Sequence, residues 1–458
     1  MQSGPGDKNR TPIRSLVPQG SGHQFVVCGD SCSGVPGTAH EATLARVNSV
    51  ISRMTPAPEF IAFLGDEIMG LVNDEKALEA QWRHWDGTEM RRFRDPNIPI
   101  YNTTGNHTVF NALSERVYQE THAHLPQNGP AEQKALSYFV RRGDLLMIFV
   151  NTMWRGLGGE GHVETEWLAE VLNSNADARW KFVAGHHPVF PVNGYSGPYQ
   201  RTIGDEYAAP FRDLLVRHDV TAYLCSHILA FDVQVHRGVL QITTGGAGTA
   251  HLSPREFEYH HFVQACVDGN GLRYQVVDEA GVVRERLNWP PDVPSSAGWP
   301  DRQFSIPAGQ AGPDRFIVWR LRGDLAAGYS GEPQKLLAAP SKTGAYTSLW
   351  IGLVGRSRRL TVSLQPQADR SPHYWHGPTF ESGPDFDVQV ALHFGMGPGG
   401  ILWRDGDRSP WNSMDGASAW GAERLKDCDF AKLCLGSSEI LEAPFRGRNL
   451  DVSWFAFP

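Results

Sequence analysis

At five places in the first half of the chain, an apolar run rich in β-branched or aromatic residues ends in a side chain able to hold a metal ion or move a proton. FVVC (25–28) is followed by Gly29-Asp30, FIAFL (60–64) by Gly65-Asp66, and IPIYNTT (98–104) by Gly105-Asn106-His107. KFVA (181–184) is followed by Gly185-His186-His187, and TAYLC (221–225) by Ser226-His227. Singly these are ordinary, since Asp after Gly is a common turn residue and a lone histidine at a strand end is commonly a surface group. Together they supply two carboxylates, an amide oxygen and several imidazoles, the mixed N/O donor set that suits Zn, Mn or Fe. Glycine before a donor is expected to let the backbone turn sharply, so that several ligands can crowd one ion.

Donors so far apart in the chain need a scaffold that gathers them. Between residues 25 and 227 the apolar runs, with LLMIFV (145–150) as a sixth, alternate with HEATLARVNSVISRM, ETEWLAEVL and AAPFRDLLVRH, which have helical periodicity. That alternation predicts an α/β layered fold whose strand carboxyl ends converge on one crevice. Asn151 and Trp154, after the sixth run, are placed to line it, with His162, His236, His251, His260 and His261 nearby as surface or hydrogen-bonded loop groups. From 233 to 285 the pattern alternates as in antiparallel strands, in VQVHRGVLQITTGG, HHFVQACVD and LRYQVVDEAGVVRERL.

Composition bounds the rest. With 458 residues the chain is long enough for two to four domains. A net charge of −8 and no basic run argue against a nucleic-acid partner. Gly 48 and Pro 31 describe a loop-rich but folded chain. The six cysteines lack paired CxxC spacing; four sit in or beside apolar runs and read as buried thiols, and Cys428 and Cys434 could pair in an oxidising compartment. No 18-residue apolar stretch and no leader-like N-terminus occur, so the expectation is a soluble, cytoplasmic protein without membrane contact, or a periplasmic or secreted one if a leader has been removed.

The order GD, GD, GNH, GHHP, SH resembles the calcineurin-like metallophosphoesterases, a family that includes purple acid phosphatases and phosphodiesterases. YFVRRGDLLMIFVNT, VETEWLAEVL and TTGGAG extend the resemblance over about residues 22–285. It implies a four-layer α/β/β/α sandwich and a two-metal centre that hydrolyses phosphoesters with a metal-activated water. Carried over by position, Asp66 bridges the metals, Asn106, His186 and His227 complete the second metal's ligands, and Asp30 is a ligand of the first or a base. His107 matches the histidine that protonates the leaving group or holds the oxyanion. His187, His251 and Asn151 are further candidates, His251 for substrate contact or as a compensating ligand.

Three departures touch the first metal only. Asp30-Ser31-Cys32 stands where the family has D-x-H, Ser226-His227-Ile228-Leu229 where it has G-H-x-H, and Met69 where purple acid phosphatases have tyrosine. The expectations are one well-held divalent ion per site, a different metal selected by Cys32 as a soft ligand, or a metal-binding protein with altered or no hydrolysis. Cys32 is also readable as a small residue filling the space of a histidine.

Residues 289–313, NWPPDVPSSAGWPDRQFSIPAGQAG, read as a linker. Beyond it, 314–458 carries short alternating segments such as RFIVWRLR, DFDVQVALHFG and NLDVSWFAF, predicting an all-β module. DFDVQVALHFG and PFRGRNLDVSWFAF resemble concanavalin-like or laminin-G-like jelly rolls, which implies a carbohydrate or homo-oligomer contact. Trp375, Trp403, Trp411 and Trp420 can stack on a sugar or pack in a core.

Overall fold

A computed structural model of the chain describes residues 12–16, 20–193, 201–249, 259–291, 293, 316–325, 331–380, 385–393, 400–416, 427–436 and 445–457. His251, Trp420 and most of the expected linker lie outside them. Two compact units form, one from residues 1–189, 198–231 and 242–288 and one from 190–197, 232–241 and 289–458.

The first unit is mixed α/β. A short parallel pair, β1 (Ile13–Arg14) and β3 (Met54–Thr55), lies outside its two six-stranded sheets. One sheet contains β2 (His23–Cys28), β4 (Ile61–Phe63), β5 (Ile100–Asn102), β12 (His261–Asp268), β13 (Gly271–Asp278) and β14 (Val283–Trp289), in the order β14-β13-β12-β2-β4-β5. The other contains β6 (Tyr138–Arg142), β7 (Leu145–Phe149), β8 (Trp180–Ala184), β9 (Ala222–Cys225), β10 (Phe231–His236) and β11 (Val239–Thr244), in the order β10-β11-β9-β8-β7-β6, its residues 232–241 being those assigned to the second unit. Each sheet has a parallel trio, β2-β4-β5 and β7-β8-β9. Parallel strands put their carboxyl ends on one edge, and every donor found in the sequence follows one of these six strands.

Apolar faces hold that edge in place. In α1 (Ala39–Ile51), capped by Thr38, the buried Leu44, Val47, Val50 and Ile51 join the core of Val26, Cys28, Ile61 and Phe63. α2 (Glu75–His84), capped by Asp74, adds Leu78 and Trp82, and Trp82 meets Trp85 edge-on at 5.9 Å. The sheets meet where Phe25 of β2 touches Phe182 of β8, edge-on at 5.4 Å. α3 (Arg91–Arg94), α4 (Ala112–Thr121), α5 (Glu166–Ser174) and α6 (Asp205–Arg217) complete the helices of this unit. Of these, α5 and α6 follow the periodic segments seen in the sequence, whereas α2 and α4 cross less regular ones and rely on Asp74 and on the Asn111–Ser114 capping box.

One buried group makes this unit acid-sensitive. His122, at the end of α4, stacks on Tyr118 at 4.1 Å, meets Trp82 at 4.6 Å, and is lowered to about 3, chiefly by burial. Above about pH 6.5 the ring is neutral folded or unfolded and adds nothing; below it only the unfolded chain takes the proton. Stability therefore falls as pH drops from about 6.5 towards 3, by about 2 kcal/mol at pH 5. Denaturant melts of His122→Phe should lose this slope, and an unchanged slope would refute the assignment.

The second unit is strand-rich and antiparallel. β15 (Phe316–Asp324), β20 (Asp385–His393), β21 (Ile401–Asp405), β22 (Asn412–Ser413) and β25 (Arg448–Phe457) form one sheet. β16 (Gln334–Pro340), β17 (Thr347–Val354), β18 (Arg359–Leu364), β19 (His373–His376), β23 (Asp415–Gly416) and β24 (Cys434–Leu435) form the other. Trp319, Trp375, Ile351, Val362 and Val390 fill the core. Trp375 is fully buried, and Trp411 is buried with the Arg404 guanidinium 4.5 Å above its ring, so neither offers a face to a sugar. Trp403 is partly buried against the same core. Trp350 and Tyr346 instead line a cleft of about 890 Å³ with Lys335, Ser363 and Gln365. Cys428 and Cys434 are free thiols and do not pair.

Candidate metal centre

The donor-bearing turns are tied to one another by backbone bonds. Asp30 N–H donates to Gly65 O (3.1 Å), Cys32 N–H to Asp66 O (2.7 Å), Gly185 N–H to Leu224 O (3.0 Å) and Ser226 N–H to His186 O (2.9 Å). The sheets are joined at this edge by His186, whose Nδ1 donates to Leu64 O at 2.8 Å, with Ser226 Oγ donating to the same oxygen. β7 contributes Asn151, which is buried and accepts from Thr104 Oγ1 (2.7 Å), bracing the turn that carries Asn106 and His107. Asn151 therefore supports the site from behind.

Glycine does its work here mainly by close approach. A Cβ on Gly105 would sit 2.1 Å from Asp66 Oδ1, and one on Gly29 would sit 2.6 Å from Ser226 Oγ. The expected sharp turn at glycine holds at Gly65 (φ +89°), but at Asp30, Cys32, Asp66 and His227 the left-handed conformation is carried by these residues themselves (φ +59°, +41°, +51° and +65°). Non-glycine residues in this region cost free energy, and these four follow strands of both sheets, Asp30, Cys32 and Asp66 of one and His227 of the other.

Asp66, Asn106, His186 and His227 come together. Asn106 Oδ1 is 3.0 Å from His186 Nε2 and 2.9 Å from His227 Nδ1, the two ring nitrogens are 3.2 Å apart, and Asp66 Oδ2 is 3.2 Å from His186 Nε2. Since His186 Nδ1 carries the proton given to Leu64, a neutral ring aims its Nε2 lone pair into this cluster. Lone pairs of oxygen and nitrogen at 3 Å repel unless a cation lies among them, so the donor set fits a divalent ion. Without an ion a proton substitutes: burial alone would lower His186, but the Asp66 charge and hydrogen bond, with Asp30, raise it to about 9. Asp66 likewise is held below the usual carboxylate range, because the His186 charge and the His107 amide outweigh its burial.

The other candidates stand around this cage. Asp30 accepts the His227 amide on Oδ2 (2.8 Å) and is raised to about 6, first by burial and then by the Asp66 charge. His107 is half-buried, with Nδ1 held by Met69 O at 2.8 Å, while Met69 is exposed. Cys32 is buried with a donor atom within 4.8 Å of donor atoms of Asp66 and His107, and without an ion its thiol is pushed up by burial and by the Asp66 and Asp30 charges. His187 is fully buried, with Nδ1 at 2.9 Å from Thr152 Oγ1 and Nε2 at 3.4 Å from Glu160 Oε1. His261 corrects the surface reading: it is fully buried at the start of β12, bonding Tyr259 O.

Two acidic residues escaped the sequence reading. Glu67 is buried beside Asp66, accepts from Asn102 Nδ2 (2.8 Å) and is raised to about 8 by burial. Its position directly after the GD pair was the available signal. Glu160 carried none, lying in a Gly-rich loop whose fold alone brings it to His187.

Residues 23–231 match the family model for the calcineurin-like phosphoesterases. No curated protein matches the chain. Among solved structures it is similar to a purple acid phosphatase from yellow lupin (Lupinus luteus) seeds, at 14% identity and a TM-score of 0.43, over 60% of this chain and 55% of that one. The chain thus spans about half the length of that phosphatase. It is also similar to GAP50, the anchor in the inner membrane complex of Plasmodium (16% identity, TM-score 0.39, 58% of this chain and 88% of that one). A putative 5'-nucleotidase from Staphylococcus aureus follows at 16% identity and a TM-score of 0.34, over 57% of this chain and 52% of that one. No described helix is long and apolar enough to cross a membrane. Over residues 23–231, then, this chain is similar to the calcineurin-like phosphoesterases.

Proposed function

We propose that the chain is a metal-dependent hydrolase of phosphodiesters or small phosphate esters, with Asp66, Asn106, His186 and His227 holding a divalent Mn, Fe or Zn ion. The observation that carries this reading is the 3.2 Å approach of His186 Nε2 and His227 Nδ1 around Asn106 Oδ1. An ion bound there supplies Lewis acidity toward a phosphoryl oxygen and an activated water. The chain's own groups do the rest. His107, half-buried at the rim with Nδ1 fixed by Met69 O, presents its other ring nitrogen for the leaving-group oxygen. Asp30, anchored to the His227 amide, serves as an outer ligand or base, and Cys32 fills space. Leu64, Ser226 and Asn151 hold the imidazoles and the Asn106 turn in register.

A second reading is a metal-binding protein of the same fold with altered or no hydrolysis. It is favoured by Cys32 and Leu229, which stand where the family's first metal has histidines. Chelator-treated protein assayed on an aryl phosphodiester and an aryl phosphomonoester, before and after adding back Mn²⁺, Fe²⁺ or Zn²⁺, decides between them. Hydrolysis that returns with metal and is lost in His227→Ala supports the first reading, and hydrolysis absent with every ion supports the second. For the strand-rich second unit, a concanavalin-like module is the working assignment. Any saccharide contact there belongs to the Trp350 and Tyr346 cleft.

A further inference from the structure

We propose that this domain holds a second divalent ion between Glu160, His187 and His227, a site built from residues outside the ligand pattern described above except for the shared His227. Donor atoms of the three lie within 4.8 Å of one another, and the His187 and His227 rings are 4.4 Å apart. His227 turns Nδ1 to the Asp66 cage, while its Nε2 is buried without a hydrogen-bond partner among the described residues; since a neutral imidazole has one lone pair, serving both ions would require the ring to release its N–H proton to solvent and bridge them as an imidazolate. A buried orphan nitrogen is unfavourable, and an ion would satisfy it.

The spacing favours a ligand pair over a simple ion pair. His187 Nε2 and Glu160 Oε1 are 3.4 Å apart. A charge-assisted hydrogen bond draws such atoms to about 2.7–2.9 Å, whereas two ligands of a tetrahedral ion with bonds of about 2.1 Å sit about 3.4 Å apart. Thr152 Oγ1, 2.9 Å from His187 Nδ1, is the outer partner that fixes a ligating imidazole. The Arg201 guanidinium also holds Glu160, at 2.7 Å, but its side chain is 67% exposed, and a solvated ion pair of that kind is weak beside a metal bond. Two histidines and one glutamate form an open three-ligand set that suits Zn or Mn.

The inference rests on the proposed centre only through His227, so metal content can separate the two. Wild type, Glu160→Gln, His187→Gln and Asp66→Asn would be loaded with Zn²⁺, dialysed and measured by elemental analysis, with circular dichroism to confirm folding. Expected are two ions in the wild type and one in each variant. Glu160→Gln and His187→Gln that both keep the wild-type content overturn the second site and leave the Asp66 centre standing. An ion lost in Glu160→Gln but not in Asp66→Asn supports the second site while refuting the Asp66 centre.

Discussion

Asp66→Asn is expected to lower phosphodiester turnover by about a thousandfold and to cancel most of the rise in melting temperature that a divalent ion gives the wild-type chain. The substitution preserves shape and removes one charge. That charge is the one the cage cannot spare, because among the described residues Asp66 is the only carboxylate in contact with His186 Nε2. A thousandfold corresponds to about 4 kcal/mol of transition-state stabilisation, a reasonable share for the anionic ligand of a catalytic ion. The same residue orients His107 by accepting its amide on Oδ1 at 2.8 Å, so ion and leaving-group histidine should fail together. Ion-dependent stabilisation separates chemistry from binding: saturating an intact site at about 100 times its dissociation constant adds about 2.7 kcal/mol. A variant that loses turnover but keeps this stabilisation would mean that Asp66 serves the reaction without holding the metal.

Gly105→Ala should be nearly as damaging, although it removes no functional group. Its methyl would lie 2.1 Å from Asp66 Oδ1 and 2.6 Å from the Asp66 amide nitrogen, so either the carboxylate or the Asn106 turn must move. Moving the carboxylate displaces the charged ligand, and moving the turn carries away Asn106 Oδ1 and the His107 ring. Displacements of about 1 Å at a reacting centre cost about a hundredfold in rate, and disturbed ligand support costs about 10–100-fold in metal affinity. Folding should survive, because Gly105 lies after the end of β5 and outside its strand pairing. Activity within threefold of wild type would show that the turn tolerates the methyl and that the site is looser than its distances indicate.

What could be read from the sequence follows from which interactions are local. Strand runs such as FVVC and KFVA declare themselves by β-branched and aromatic residues, and each is followed by its donor, so the ligand ends of both parallel trios were visible without a structure. Contacts between distant segments were not. Glu160 meets His187 across 27 residues, Thr104 meets Asn151 across 47, and neither spacing carries a period that composition can reveal. Positive φ is not confined to the glycines. The glycines appeared to be the turning points, whereas Asp30, Asp66 and His227 adopt positive φ themselves because the surrounding bonds over-determine them. In the second unit, tryptophans in alternating segments look the same whether they face in or out. Trp375 turned inward to the core, while Trp350, two positions after the buried Ser348, lines the open cleft.

The central claim is that one ion is gripped by the side chains following four different strands. The most direct measurement is anomalous diffraction from crystals of the chain loaded with Mn²⁺ or Zn²⁺, with data collected at the metal edge. A peak at about 2.0–2.2 Å from Asp66, Asn106, His186 Nε2 and His227 Nδ1 is predicted. Density for fully loaded crystals with no peak among these four side chains would contradict the account.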